Sequence, residues 1–255
     1  MKLDTVTVER KDDVAIVRFE SGSKKNAITR QLIQDLTSVA RELELDTHLQ
    51  AIVLTGTEEG FSAGIDTNEV MDLVARRHEI TPLERRQTFY SGTRMCEAWQ
   101  RLPQITIAAI EKMAVGGGLA LALACDLRVM GEDAFAYLPE LRLGMILQWG
   151  SIPRLVEAVG AARAKRAILL MEKLPADQAL AWGLVDFLTP SGATKAKALE
   201  VAESIAQLPP LPVRMVKEAV NAAAHALQAA SSYADGDQSH LSMLALLEPL
   251  NPSGV

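Results

Sequence analysis

Between Thr106 and Met130 the chain sets a strand, a glycine turn, a helix and a second strand end to end. Thr106-Ile107-Ala108-Ala109-Ile110 is short, apolar and β-branched; Val115-Gly116-Gly117-Gly118 follows after four residues; Leu119 to Ala124 are good helix formers; and Leu127-Arg128-Val129-Met130 reads as strand again. Two buried strands joined through a helix predict a right-handed crossover and a parallel sheet. Three glycines before a helix leave the backbone bare where the first turn offers unpaired N–H donors and the positive end of the helix dipole. A phosphate loop is excluded on pattern: no Lys-Ser or Lys-Thr pair follows, and the spacing is not G-x-G-x-x-G.

The same arrangement recurs upstream. Val14 to Phe19 and Ala51 to Thr55 are strand-like, and between them Leu32, Leu36, Val39, Ala40 and Leu43 repeat at helical spacing over 29–45, with Thr29 as N-cap. Residues 1–20 alternate like a strand pair. The Arg-rich stretch between Met71 and Leu102 reads as helix, broken at Pro82, with its charges on a solvated face. From Thr194 the chain turns alanine-rich and helical, with a break at Pro209-Pro210-Leu211-Pro212. This divides the chain into an α/β core over 1–193 and a helical appendage over 194–255. The appendage lacks bulky residues for a core of its own, so packing on the main domain or on another subunit is expected.

At 255 residues with 49% apolar and 23% charged residues, the chain can bury a substantial core without staples. Its net charge of −6 argues against a nucleic-acid partner. No apolar run is long enough to cross a bilayer and no signal-peptide core is evident, so no membrane partner is expected. Cys96 and Cys125 sit in apolar helical surroundings without C-x-x-C spacing, which predicts buried thiols, a reducing compartment and a cytoplasmic protein. His48, His78, His225 and His240 share no ligand spacing, and no metal is expected.

A second small-residue loop, Gly60-Phe61-Ser62-Ala63-Gly64-Ile65-Asp66, follows the strand ending at Thr55. Two such loops can approach one point and present backbone N–H groups to it, which is how an oxyanion hole is built. With FSAGID and AAIEKMAVGGGLALALACDLRVMGEDAFAYLPELRLG both in place, the chain resembles the crotonase family of enoyl-CoA hydratases and isomerases. The likeness runs from Lys25-Asn26-Ala27 to ADQALAWGLVDFL at 176–188. It implies a crotonase-like ββα spiral core and an acyl-CoA thioester substrate, with coenzyme A part of that substrate and no separate cofactor. It further implies a homotrimer or a dimer of trimers. By the same resemblance the N–H groups of Ala63 and Gly117 clasp the thioester carbonyl. Lys25, with Lys24 beside it, and Ala27 line the coenzyme A nucleotide, and Ser62, Gly64, Ile65 and Asp66 line coenzyme A through main-chain contacts.

Proton transfer at a carbon beside a thioester calls for a carboxylate with a raised pKa. Glu140, in YLPELRLG, has apolar neighbours and aligns with one catalytic glutamate of the family; taken alone it reads as a solvated loop carboxylate or a partner of Arg142. Glu111 is the next candidate, against a solvated turn residue. The other family glutamate, two residues past the glycine triplet, is replaced by Ala120. Where hydratase-like relatives carry Gly-x-x-Pro-x-x-Gly, this chain has Gly144-Met145-Ile146-Leu147-Gln148-Trp149-Gly150, adding apolar bulk at the acyl end. One carboxylate in a dry pocket favours proton shuttling over water addition. The expectation is an enoyl-CoA isomerase acting between 3-enoyl and 2-enoyl forms, with Glu140 as single acid/base and Trp149 against the substrate. A hydratase or another crotonase-type lyase, and a catalytically weak acyl-CoA binder, stay open. After Asp235-Gly236-Asp237-Gln238 the sequence reads SHLSMLALLEPLNPSGV where relatives carry an aromatic-rich last helix.

Overall fold

The computed structural model describes residues 2–226 and 228–247. Strands β1 (Val6–Lys11) and β2 (Val14–Phe19) pair antiparallel around a turn at Asp12. Helix α1 (Arg30–Glu44) begins where Thr29 accepts the Leu32 N–H on its hydroxyl, and its Leu32, Leu36, Val39 and Leu43 stripe is fully buried. It returns the chain to β3 (Ala51–Thr55), parallel to β2 in the register Val14↔Ala51. The Arg-rich stretch forms α2 (Thr67–Ala75), α3 (Pro82–Phe89) and α4 (Ser91–Gln100); Pro82 opens α3 as its first residue, and Thr81 and Glu84 close a capping box there.

The chain then distributes strands between two sheets. β4 (Ile105–Ile110) extends the large sheet and β5 (Met113–Val115) starts a small one, with α5 (Gly117–Leu123) following. β6 (Leu127–Gly131) returns to the large sheet and β7 (Phe135–Tyr137) to the small. After α6 (Ser151–Val159) and α7 (Ala161–Leu169), β8 (Leu174–Pro175) completes the small sheet; α8 (Ala176–Trp182) leads to β9 (Phe187–Thr189) on the large one. The large sheet is ordered β1-β2-β3-β4-β6-β9 and the small one β5-β7-β8. The mixed α/β architecture matches the expectation; β5, β7 and β8, at two or three residues each, are too short for any periodicity to announce.

One core lies between α1, α4, α5 and one face of the large sheet, around Phe19, Leu36, Leu54 and Trp99. Trp99 is fully buried and donates its indole N–H to the Leu36 carbonyl at 3.2 Å. The opposite face, with Val53, Ile107 and Val129, is covered by α9 (Thr194–Ala206), whose Ala198 and Ala202 are wholly buried. α9, the first helix of the stretch read as an appendage over 194–255, thus packs on the main domain, because small residues let a helix lie close on a sheet. Among the described residues, α10 (Pro210–Ala224), α11 (Gln228–Ser232) and α12 (Asp235–Leu247) follow it. Lys217 ties α10 back, donating to Asp126 at 2.6 Å and to the Gln104 carbonyl at 2.7 Å. The sequence's final segment beyond Leu247 lies outside the described residues.

Cys96 and Cys125 are free and buried, and burial pushes both thiols up to about 12. No described helix is long and apolar enough to cross a membrane.

Candidate active site

The FSAG loop runs beside β5 as an extra strand. Phe61 N–H donates to the Glu111 carbonyl, Ser62 N–H to Met113, and Val115 N–H back to Ser62 at 2.9 Å. The side chain of Asn26 braces it from beneath, donating to the carbonyls of Phe61 (2.9 Å) and Phe19 (3.2 Å). Gly64, at φ +90°, turns the loop so closely past β5 that a Cβ there would lie 2.8 Å from the Val115 carbonyl oxygen and 3.4 Å from the Gly117 nitrogen.

The three glycines answer to three different neighbours. Gly116 takes φ +50° and its own N–H goes to Tyr137, leaving its Cα against the Glu140 carboxylate. A Cβ on Gly117 would meet the Trp149 ring at 2.5 Å, and one on Gly118 would meet the Ser62 Cβ at 2.7 Å. Bare backbone is therefore needed for a carboxylate, an indole and the first loop at once.

Beside these loops is a cavity lined mainly by apolar side chains. Ile65, Gly117, Ala120, Glu140, Leu147 and Trp149 line it among others, so four expected site residues, Ile65, Gly117, Glu140 and Trp149, converge. The expectation for Ala63 is corrected: its N–H donates to the Lys25 carbonyl at 3.0 Å and is spent on holding the loop. The N–H of Ile65 instead forms no hydrogen bond among the described residues, because the neighbouring Gly64 carbonyl and Asp66 N–H make the bridge to Ile28 and turn Ile65 N–H the other way. The Gly117 N–H, on the first residue of α5, is likewise unused among the described residues.

The remaining expected positions brace the loop outside the cavity lining. Ser62 is buried, its hydroxyl accepting the Gly64 N–H at 3.1 Å. Asp66 caps α2, accepting from Asn68 N–H at 2.9 Å and from Glu69 N–H. Ala27 accepts the Ser23 hydroxyl on its carbonyl, and Lys25, at φ +54° in a 3-10 turn, is exposed.

Glu140 opens the 3-10 turn Glu140–Leu143 directly after Pro139. Its Oε2 is buried without a hydrogen-bond partner among the described residues, and burial pushes the carboxyl up to about 7. The cavity's other lining carboxylate, Glu69, stands at an exposed edge and accepts the Arg30 backbone N–H at 2.8 Å. Glu111, the reserve candidate, is buried, not solvated, and lies apart from the cavity lining. Its Oε1 accepts the Thr194 N–H (3.1 Å) and hydroxyl (2.6 Å), and its Oε2 the Gly192 N–H (3.2 Å), so it anchors the start of α9.

Trp149 adopts a left-handed φ of +63°, followed by Gly150 at +65°. Buried Arg154 holds this turn by donating to the Trp149 carbonyl at 2.6 Å while its Nη2 reaches Gln100 at 2.6 Å; Asp235 accepts the Gly150 N–H at 2.8 Å. The ring is wedged over Gly92, where any side chain would overlap it. Sequence reasoning missed Arg154 and Asp235, since nothing local marks contacts made across 54 and 85 residues of chain; the only available signal was a tryptophan beside a glycine. No group of His, Cys, Asp and Glu able to hold a metal occurs among the described residues.

Residues 9–244 match the family model described as Enoyl-CoA hydratase/isomerase. A short-chain-enoyl-CoA hydratase of Clostridium acetobutylicum is 31% identical over 222 residues, covering 87% of this chain and 82% of its own. Among solved structures, an enoyl-CoA hydratase from Mycobacterium avium subsp. paratuberculosis superposes with a TM-score of 0.81 at 25% identity, over 98% of this chain and 92% of that one. An enoyl-CoA hydratase from Bacillus anthracis gives 0.79 at 28% identity, over 95% and 92%.

Proposed function

For a chain that belongs to the enoyl-CoA hydratase/isomerase family, we propose that the reaction is isomerisation of a 3-enoyl-CoA to a 2-enoyl-CoA, with Glu140 as the single acid/base. The observation that carries this reading is one buried, unpartnered carboxylate facing the same cavity as two unused backbone N–H groups. The Glu140 carboxylate takes a proton from C2. The electron pair left behind delocalises onto the thioester oxygen, where the N–H groups of Ile65 and Gly117 stabilise it; a donor in such a hole is worth about 3–4 kcal/mol. The positive end of α5 adds to the same field. Glu140 then returns its proton to C4, the double bond moves to C2–C3, and the carboxylate is regenerated. A carboxyl near 7 is poised both to accept and to give.

Water addition needs a second group to position the water. Buried Ala120 supplies none, and buried Leu147 and Trp149 exclude solvent. The solved and curated relatives above carry hydratase names, so the two activities must be measured side by side. On one preparation, 3-enoyl-CoA is expected to isomerise at least a hundredfold faster than 2-enoyl-CoA is hydrated; comparable hydration would replace this reading with a hydratase.

The expected homotrimer or dimer of trimers would cover the apolar face of α10, where Leu211, Met215 and Val220 stand 67%, 59% and 58% exposed. A cytoplasmic location is consistent with the two unpaired thiols.

A further inference from the structure

The stretch from Gly144 to Gly150 supplies five consecutive residues, Met145 to Trp149, to the lining of the cavity. It belongs to no helix or strand, and Gly144, Trp149 and Gly150 all take left-handed φ values, +63°, +63° and +65°. A tryptophan keeps that conformation only where its surroundings over-determine it. The loop carries the indole against Gly92 and Gly117, so any shift of the loop moves the wall that an acyl chain meets. Part of what fixes the loop comes from α12, 85 to 98 residues further along the chain.

Asp235, Ser239 and Ser242 stand at i, i+4 and i+7 on α12, which puts them on one face of the helix. Each meets a different point of the loop. Asp235 accepts the Gly150 N–H on Oδ2 at 2.8 Å, the Gln148 side-chain amide donates to the Ser239 hydroxyl at 2.7 Å, and the Ser242 hydroxyl donates to the Gly144 carbonyl at 2.5 Å. Met243, on the same face, forms a small buried cluster with Met145 and Val74. Asp235 and Ser239 are buried, whereas Asp237, Gln238 and Leu241 between them are exposed. Burying a carboxylate and a hydroxyl is costly without partners, and on this helix face the loop supplies them. The loop thus takes its place from both ends and the middle, through side chains of one helix.

We propose that Asp235, Ser239 and Ser242 are positioning residues: this face of α12 sets where the 144–150 loop stands and, through it, the length of acyl chain that the cavity accepts. This rests on the acyl-CoA reading of the main site and assigns its chain-length selectivity to a helix outside the cavity lining. The test is calorimetry on the full chain with free coenzyme A and straight-chain alkanoyl-CoAs from four to twelve carbons. Wild type is expected to bind its best length at least tenfold more tightly than its poorest. Asp235→Ala and Ser239→Ala are each expected to cut that spread at least threefold while the affinity for free coenzyme A stays within twofold. Asp235→Asn, whose carboxamide oxygen can still accept the Gly150 N–H, is expected to keep the spread, as is Gln238→Ala on the exposed face. If Asp235→Ala does not fold, the double variant Ser239→Ala/Ser242→Ala, which removes only two hydroxyls, carries the test. No spread in wild type, a spread that survives the double variant, or a uniform loss that includes free coenzyme A would overturn the proposal while sparing the main site. Binding of no thioester would overturn the acyl-CoA reading, and this inference with it.

Discussion

The Glu140 carboxylate lies directly against the Cα of Gly116, so that a Cβ at that position would overlap Oε1. The left-handed Gly116 conformation and the site's buried carboxylate are therefore one geometric feature. Gly116→Ala is expected to lower turnover at least a hundredfold by displacing Glu140, and to cost about 1–3 kcal/mol of stability for the strained φ. Urea unfolding alongside steady-state rates checks both; full activity in the alanine variant would contradict the contact.

Burial holds the Glu140 carboxyl near 7, above the ordinary 4.5. The rate through a carboxylate base is then expected to rise with pH, with kcat/KM levelling above an apparent pKa near 7. Stability moves the opposite way. A raised carboxyl favours the folded state while protonated, so the chain loses up to about 3 kcal/mol as pH climbs from the unfolded value through 7. Glu140→Gln, which cannot ionise, is expected to raise Tm relative to wild type at pH 8 and to match it near pH 4.5. Parallel Tm profiles for the two proteins would refute the assignment.

Replacing single backbone amides by esters distinguishes the two candidate donors in the FSAG loop. An ester at Ile65 is expected to reduce kcat by about 10²–10³, as loss of an oxyanion donor does. At Ala63 the ester removes the bond to the Lys25 carbonyl and is expected to affect stability more than rate. The reverse ranking would restore Ala63 as the donor.

What the sequence made legible follows from how each feature is encoded. The strand–helix–strand units around α1 and α5 are written in local periodicity, and Thr29 declares its cap three residues ahead of Leu32. Gly117, Glu140 and Trp149 were readable because their neighbours in sequence are distinctive. The choice between Ala63 and Ile65 was not, since which N–H faces the cavity depends on the bridge to Ile28, a contact 37 residues away in the chain. Glu111 reads as a solvated turn until Gly192 and Thr194 arrive to be held by it. Arg77 and Arg85 read as solvated because part of their surroundings, His240 and Met243, comes from α12, far along the chain.

Glu111→Gln removes the charge that accepts three bonds at the start of α9. A loss of about 1–3 kcal/mol is expected in chemical denaturation, with the pH–rate profile unmoved. A shift in that profile would return Glu111 to the list of acid/base groups.

The most direct measurement is the separation of binding from turnover in Glu140→Gln. Acyl-CoA affinity by calorimetry is expected to stay within about threefold of wild type, while isomerisation of a 3-enoyl-CoA falls by about 10²–10⁴, the usual share of a positioned acid/base. Isomerisation at the wild-type rate in that variant would contradict Glu140 as the group that carries the proton.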